Sequence, residues 1–265
     1  MIGAIIGDIV GSRFEFRNHL SKEFELFTDE CEFTDDTVMT CAVADALLRC
    51  GERDDDAALS RQVVKSMQRI GRMYPDCGYG ARFIHWMFAD NPQPYNSCGN
   101  GSAMRVSAVG FLAQSEDEVR RLSRAVTAVT HDHPEGIKGA QCTAMCIFLA
   151  RQGKSREDIR RFVEENYYTL DKTCGDWRRE MNGMHGREIC PISVPQALEC
   201  FLESTDFEDC IRNCISIGGD SDTIAAIAGG IAEAFYGVPE ELVEKAKTYL
   251  PAPLLDIVER FYAAL

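Results

Sequence analysis

Apolar residues recur at three- and four-residue spacing along most of this chain, and runs of Val, Ile and Thr with a period of two are nearly absent. A sheet needs alternation to separate a buried face from a solvated one, whereas a helix needs a stripe at a period of 3.6. The pattern therefore predicts an all-α protein, a compact single-domain multi-helix bundle spanning 1–265. Helices are expected over 2–11, 37–50, 57–70, 81–88, 102–113, 116–130, 136–152, 156–165, 194–204, 207–216, 222–236, 239–249 and 253–264. The first is almost wholly apolar, with Asp8 as its one charge. No repeat of 30–45 residues and no Gly/Ser/Pro linker is visible, which argues against a solenoid or a two-domain chain.

Hydrophobic residues make up 45% of the 265, enough for a sizeable core and too many for a disordered chain. The formal charge of −14 excludes passive attraction to nucleic acid or to an anionic membrane, since no basic stripe offsets it. A polyanionic substrate would need local help from cations, helix N-termini or single basic residues. The 12 cysteines form no Cys-x-x-Cys pair, and Cys142/Cys146 and Cys210/Cys214 lie four apart on one helix face. They read as reduced core thiols of a cytoplasmic protein. Asp8 interrupts the apolar run 2–10 and no basic region precedes it, so that segment is expected to be neither a secretory signal nor a membrane span.

Three stretches resist the helical reading: 12–36, 91–101 and 166–193. The last carries Trp177, Arg178, Arg179, Gly183, His185 and Arg187. Long loops in a compact helical protein are often functional.

Two short acidic clusters stand at helix starts far apart in the chain. One is Thr34-Asp35-Asp36-Thr37, the other Gly218-Gly219-Asp220-Ser221-Asp222-Thr223. Each packs hydroxyl and carboxylate oxygens within two or three residues, the donor set of a hard divalent cation such as Mg²⁺. The plainer account is helix capping, with Thr34 and Asp220 or Ser221 as caps and acidic residues in the first turn. The small apolar run Ile224–Gly230 reads as a tightly packed buried helix, a poor setting for two aspartates unless a cation neutralises them. Gly99-Asn100-Gly101-Ser102-Ala103-Met104-Arg105 precedes a helix and can turn backbone N–H groups toward an anion, or can be a plain turn. Arg105 reads as a phosphate clamp or a structural ion pair. Thr130-His131-Asp132-His133 offers too few ligands for zinc; His131 reads as a hydrogen-bond donor or as a structural histidine. Glu15, in the first loop, reads from its local sequence as a surface carboxylate. No Ser-His-Asp or Cys-His nucleophile signature is present.

Taken in order, Gly7-Asp8-x-x-Gly11-Ser12-x-x-Glu15, Thr34-Asp35-Asp36-Thr37, Gly99-Asn100-Gly101-x-Ala103-Met104-Arg105, Thr130-His131, Ser193-Val194-Pro195-x-Ala197-Leu198 and Gly218-Gly219-Asp220-Ser221-Asp222-Thr223-Ile224-Ala225 resemble the ADP-ribosylglycohydrolase family, of the dinitrogenase-reductase-activating type. The resemblance runs from residue 3 to about 236. It implies an all-α fold with two Mg²⁺ (or Mn²⁺) ions held by Thr34, Asp35, Asp36, Asp220, Asp222 and Thr223. It further implies a substrate loop of Ser97, Gly99, Asn100, Gly101, Ser102 and Met104, with His131 near the pyrophosphate and Glu15 near the scissile bond. Tyr95 is the aromatic candidate for the adenine.

The activity so implied is hydrolysis at C1 of the distal ribose of an ADP-ribosylated acceptor, which is arginine or serine on a protein, or a small ADP-ribosyl compound. Cleavage develops oxocarbenium character, for which metal ions and a carboxylate acid or base are suited. The sequence leaves Glu15, Asp35 and Asp36 open as that catalytic carboxylate. Competing readings are a metal-dependent nucleotide phosphoanhydride hydrolase and a non-catalytic, crystallin-like member of the family. A monomer with no nucleic-acid or membrane partner is expected.

Overall fold

The computed structural model describes residues 1–51, 53–181 and 188–265. Among them are fifteen α-helices and no strand. In chain order these are α1 Ile2–Gly11, α2 Asp35–Arg49, α3 Asp56–Gly71, α4 Ala81–Phe88, α5 Gly101–Met104, α6 Ser107–Leu112, α7 Glu116–Thr127, α8 Pro134–Arg151, α9 Arg156–Asn166, α10 Cys174–Met181, α11 Cys190–Glu203, α12 Phe207–Ile217, α13 Ser221–Tyr236, α14 Glu240–Lys247 and α15 Ala252–Ala263. No described helix is long and apolar enough to cross a membrane.

The all-α expectation holds, and most helices start within a turn of the expected residue. Four departures have local causes. The helix expected over 102–113 breaks at Arg105 and Val106, where the Met104 carbonyl accepts from Thr40 Oγ1 at 3.4 Å. α11 begins at Cys190 rather than 194: Pro191 takes the first turn, and the helix then runs through Pro195, which the sequence reading placed at its start. α8 likewise begins at Pro134, behind an N-cap from His133. α10 lies inside the stretch 166–193 that was expected to be loop. Its signal is a capping box: Thr173 Oγ1 accepts from Asp176 N at 3.1 Å, and Asp176 accepts from Thr173 N at 2.8 Å. Gly183, His185 and Arg187 of that stretch fall outside the described residues.

The buried helix α13 is central and packs against α1, α12, α11 and α8. Its contact with α1 is backbone to backbone. A Cβ on Gly3 would sit 2.3 Å from the Gly229 carbonyl oxygen, one on Gly7 would sit 2.1 Å from that of Ala225, and one on Gly11 would sit 2.4 Å from Asp222 Cα. The three glycines recur every four residues, so they share one helix face. No side chain fits between the helices there, and this puts Asp8 of α1 beside the start of α13. Cys142 and Cys146 on α8, and Cys210 and Cys214 on α12, are fully buried core residues as expected.

Gly7→Ala should destabilise the protein by about 3 kcal/mol, because a backbone oxygen has nowhere to move. Alanine is the better helix former, so any loss comes from packing. Gly51→Ala, where an added Cβ meets nothing within 4 Å, should stay within about 0.5 kcal/mol of wild type. Urea denaturation of both variants checks this; equal midpoints would contradict the backbone contact.

Candidate active site

Asp8 organises the first half of the site. Its Oδ2 accepts from the backbone N–H groups of Thr34 at 2.9 Å and Thr37 at 3.0 Å, and its Oδ1 accepts from Thr34 Oγ1 at 2.6 Å. A carboxylate from one helix thus caps the start of another, where the unpaired N–H groups and the helix dipole favour negative charge. Thr34 Oγ1 also accepts from Asp36 N at 3.3 Å, so this hydroxyl is engaged as a cap, and Thr34 is not among the residues that line the pocket. Asp35 and Asp36 follow in the first turn and face the pocket.

The second half comes from the turn between α12 and α13. Gly218 and Gly219 have φ of +76° and +87°, which an L side chain would strain. Gly219 N donates to Asn18 Oδ1 at 2.9 Å, tying the 12–36 loop to this turn. Asp220, Asp222 and Thr223 follow. Thr223 Oγ1 donates to Asp36 Oδ2 at 3.0 Å and so joins the two acidic helix starts.

The carboxylates form two triads that share Asp222. One oxygen each from Asp8, Asp36 and Asp222 lie within 4.8 Å of one another, and so do one each from Glu15, Asp220 and Asp222. Asp35 belongs to neither triad, although it lines the same pocket. Its N–H donates to the Cys77 carbonyl at 2.7 Å. None of the ion pairs among the described residues involves these six carboxylates. Asp36 Oδ1 is buried with no hydrogen-bond partner, an acceptor aimed at positive charge that the protein does not supply. An all-oxygen donor set with an orphaned carboxylate oxygen fits a hard divalent cation.

Electrostatics follow from the crowding. Burial first, then the neighbouring acidic groups, push Asp35, Asp36 and Asp222 well above the usual carboxylate range. Burial raises Asp8 and Asp220 as well, against hydrogen bonds that lower them. Glu15 rises to about 7, through burial and then the charges of Asp220, Glu188 and Asp8.

Above this acidic floor the pocket, of about 320 Å³, is rimmed by the glycine loop. Ser97, Gly99, Asn100, Gly101, Met104 and His131 all line it, as do Glu15 and Tyr95. Asn100 Nδ2 donates to Asp220 and, at 2.9 Å, to Ser193 Oγ, so the loop is bonded directly to the acidic turn. Ser102 does not reach the pocket: its hydroxyl donates inward to the Gly136 carbonyl at 2.8 Å and braces the loop from behind. Of the residues singled out from sequence, Thr34 and Ser102 are therefore the two that stand outside the lining. Missed were Asp8 as a triad member, Glu188, and the 78–83 segment with Arg82 and Phe83. Asp8 had a signal, a lone charge in an apolar helix; Glu188 had none.

Comparison with known proteins agrees with this geometry. The family model described as ADP-ribosylglycohydrolase matches residues 1–265. The chain is 28% identical to human ADP-ribosylhydrolase ARH3, over 96% of this chain and 90% of that protein. It is 27% identical to ADP-ribosylarginine hydrolase Tri1 of Pseudomonas putida, over 92% and 72%. A solved structure titled ADP-ribosylglycohydrolase-related protein complex superposes with a TM-score of 0.66 at 22% identity, covering 97% of this chain and 94% of that one, a likeness of fold.

In a metal-free sample, Asp222→Asn should raise the melting temperature at pH 8, with a gain that shrinks toward pH 5.5. A carboxyl whose folded pKa exceeds its unfolded one binds its proton more tightly when folded. Stability is therefore lost as pH rises from the unfolded value toward the folded one, by up to about 1.4 kcal/mol per pH unit. His131, whose imidazolium is disfavoured by burial, titrates in the opposite sense but alike in both proteins and cancels; the difference reports the removal of one charge from the interacting cluster of Asp222, Asp220, Asp36 and Glu15. Melting curves in chelator from pH 5.5 to 8 test this; a gain that grows toward acid would refute the buried-charge account. Across its whole length, the chain belongs to the ADP-ribosylglycohydrolase family.

Proposed function

We propose that this protein is a divalent-cation-dependent hydrolase that releases ADP-ribose by cleaving the glycosidic bond at C1 of the distal ribose. The observation that carries the reading is the convergence of two acidic helix starts, whose Asp36 and Thr223 are 187 residues apart in sequence, into two triads sharing Asp222 beneath a glycine loop. The names of the relatives, an ADP-ribosylhydrolase and an ADP-ribosylarginine hydrolase, support the bond class.

In this reading Asp8, Asp36, Asp222, Asp220 and Glu15 hold Mg²⁺, with Mn²⁺ as the substitute, and Thr223 and Asp35 stand beside them. The cations supply Lewis-acid chemistry toward the ribose hydroxyls and the attacking water. The protein's own residues do the remainder. The Gly99–Gly101 backbone and His131 hold the diphosphate. Asn100 couples that loop to Asp220, which sets the distance from diphosphate to reacting carbon. Asp35, outside both triads, is left to take the proton of the attacking water and hand it to the leaving group, with Glu15 as the alternative. The acceptor leaves toward the open side of the pocket, where Glu15 and Glu188 face solvent. An acidic mouth suits a cationic leaving group such as the arginine guanidinium.

Free ADP-ribose released from arginine-modified and serine-modified peptides, with Mg²⁺ and with chelator, tests the proposal. Release should require the cation, and Asp220→Ala or Asp222→Ala should reduce it at least about a thousandfold while leaving helix content unchanged. Release of AMP in place of ADP-ribose would convert the reading to a phosphoanhydride hydrolase, and cation-independent turnover would sink it.

A further inference from the structure

Arg105 is a buried guanidinium with no carboxylate partner among the described residues, in the pocket wall next to the glycine loop. Its Nη2 donates to Thr130 Oγ1 at 2.7 Å, and that same oxygen lies 2.7 Å from His131 Nδ1. Thr130 is completely buried and His131 almost so. The direction of this chain of bonds follows from proton counting. A guanidinium only donates, so it occupies a lone pair of the threonine oxygen and leaves that hydroxyl one proton to place. The alternative acceptor, the Thr127 carbonyl, is 3.5 Å away and already takes the backbone N–H groups of Thr130 and His131 at 3.2 and 2.9 Å. The proton goes to His131 Nδ1, and the imidazole proton must then sit on Nε2.

Nε2 finds no acceptor among the described residues and is presented to the pocket. It lies 3.4 Å from where a Cβ on Gly99 would stand and 3.3 Å from one on Gly101, so the two glycines keep its path to a ligand clear. We propose that Arg105 and Thr130 are positioning residues that lock His131 in the tautomer bearing its proton on Nε2, and so aim an N–H donor at an anionic oxygen of the substrate's diphosphate. The assignment of the oxygen to a diphosphate rests on the function proposed above. Burial, with the charges of Arg105 and Arg82, holds the imidazolium well below its usual range, so the ring stays a neutral donor. Each bond in the chain polarises the next, which strengthens the terminal donor.

The test is a long-range proton–nitrogen correlation spectrum of the imidazoles in the ¹⁵N-labelled protein, combined with calorimetric titration of ADP-ribose in the presence of Mg²⁺. Wild-type His131 should show a protonated Nε2 and an unprotonated Nδ1. Thr130→Val should lose that signature and bind ADP-ribose about tenfold more weakly, while Thr130→Ser retains both. His131→Gln places an amide donor near the Nε2 position without needing the relay. In that background Thr130→Val should change affinity by no more than about twofold. A protonated Nδ1 in the wild type, or an equal loss from Thr130→Val in both backgrounds, overturns the proposal. Should Thr130→Val fail to fold, the wild-type spectrum decides alone. Absence of ADP-ribose binding in the wild type would defeat the functional reading, and the nitrogen shifts would still judge the relay.

Discussion

Everything at the active site depends on how closely α1 lies against α13. Ordinary helix pairs are held apart by side chains at 8–10 Å between axes. Here glycines at 3, 7 and 11 remove the side chains and bring carbonyl oxygens of α13 against the α1 backbone. That contact carries Asp8 to Asp222, and Asp8 in turn holds the start of α2, which delivers Asp36. Glycine spacing is thus the first cause of the carboxylate geometry, acting through one capping aspartate.

The site is assembled against its own electrostatics. Six carboxylates crowded at one site, with no ion pair to them among the described residues, oppose folding above the ordinary carboxylate range. What offsets the repulsion is local: two helix N-termini, the Asn100 amide on Asp220, and the Thr223 hydroxyl on Asp36. The glycine loop is arranged with the opposite sign, around a buried guanidinium with no ion-pair partner among the described residues. Acidic floor and buried guanidinium line one cavity, and Asn100 ties the glycine loop to the floor.

The sequence was most legible where one residue type has one physical use. Period-3.6 apolar spacing foretold the helices, and the two acidic helix starts foretold the floor of the pocket. It misled where a residue has two uses. Pro195 looks like a helix start and sits inside α11, because the earlier Pro191 supplies the start. Thr34 and Ser102 sit among pocket residues in sequence, yet the Thr34 hydroxyl is taken up by Asp8 and the Asp36 N–H, and that of Ser102 by the Gly136 carbonyl. Glu188 could not be foreseen, since only the pairing of Ile189 with Gly99 brings it to the pocket. Asp8 was visible as a charge out of place, but its task required knowing which helix end it would meet.

The α1–α13 contact also bears on how the chain is made. Gly7 and its partner Ala225 are separated by about 200 residues, so this contact is among the least local a chain of this length can form. At ribosomal speeds of about 5–20 residues per second, α1 waits roughly 10–40 s for its partner to be synthesised. Throughout that interval α1 can meet α2, but its bare glycine face has no partner. The same glycines that later build the pocket therefore leave an apolar helix with one face open until nearly the whole chain has been made.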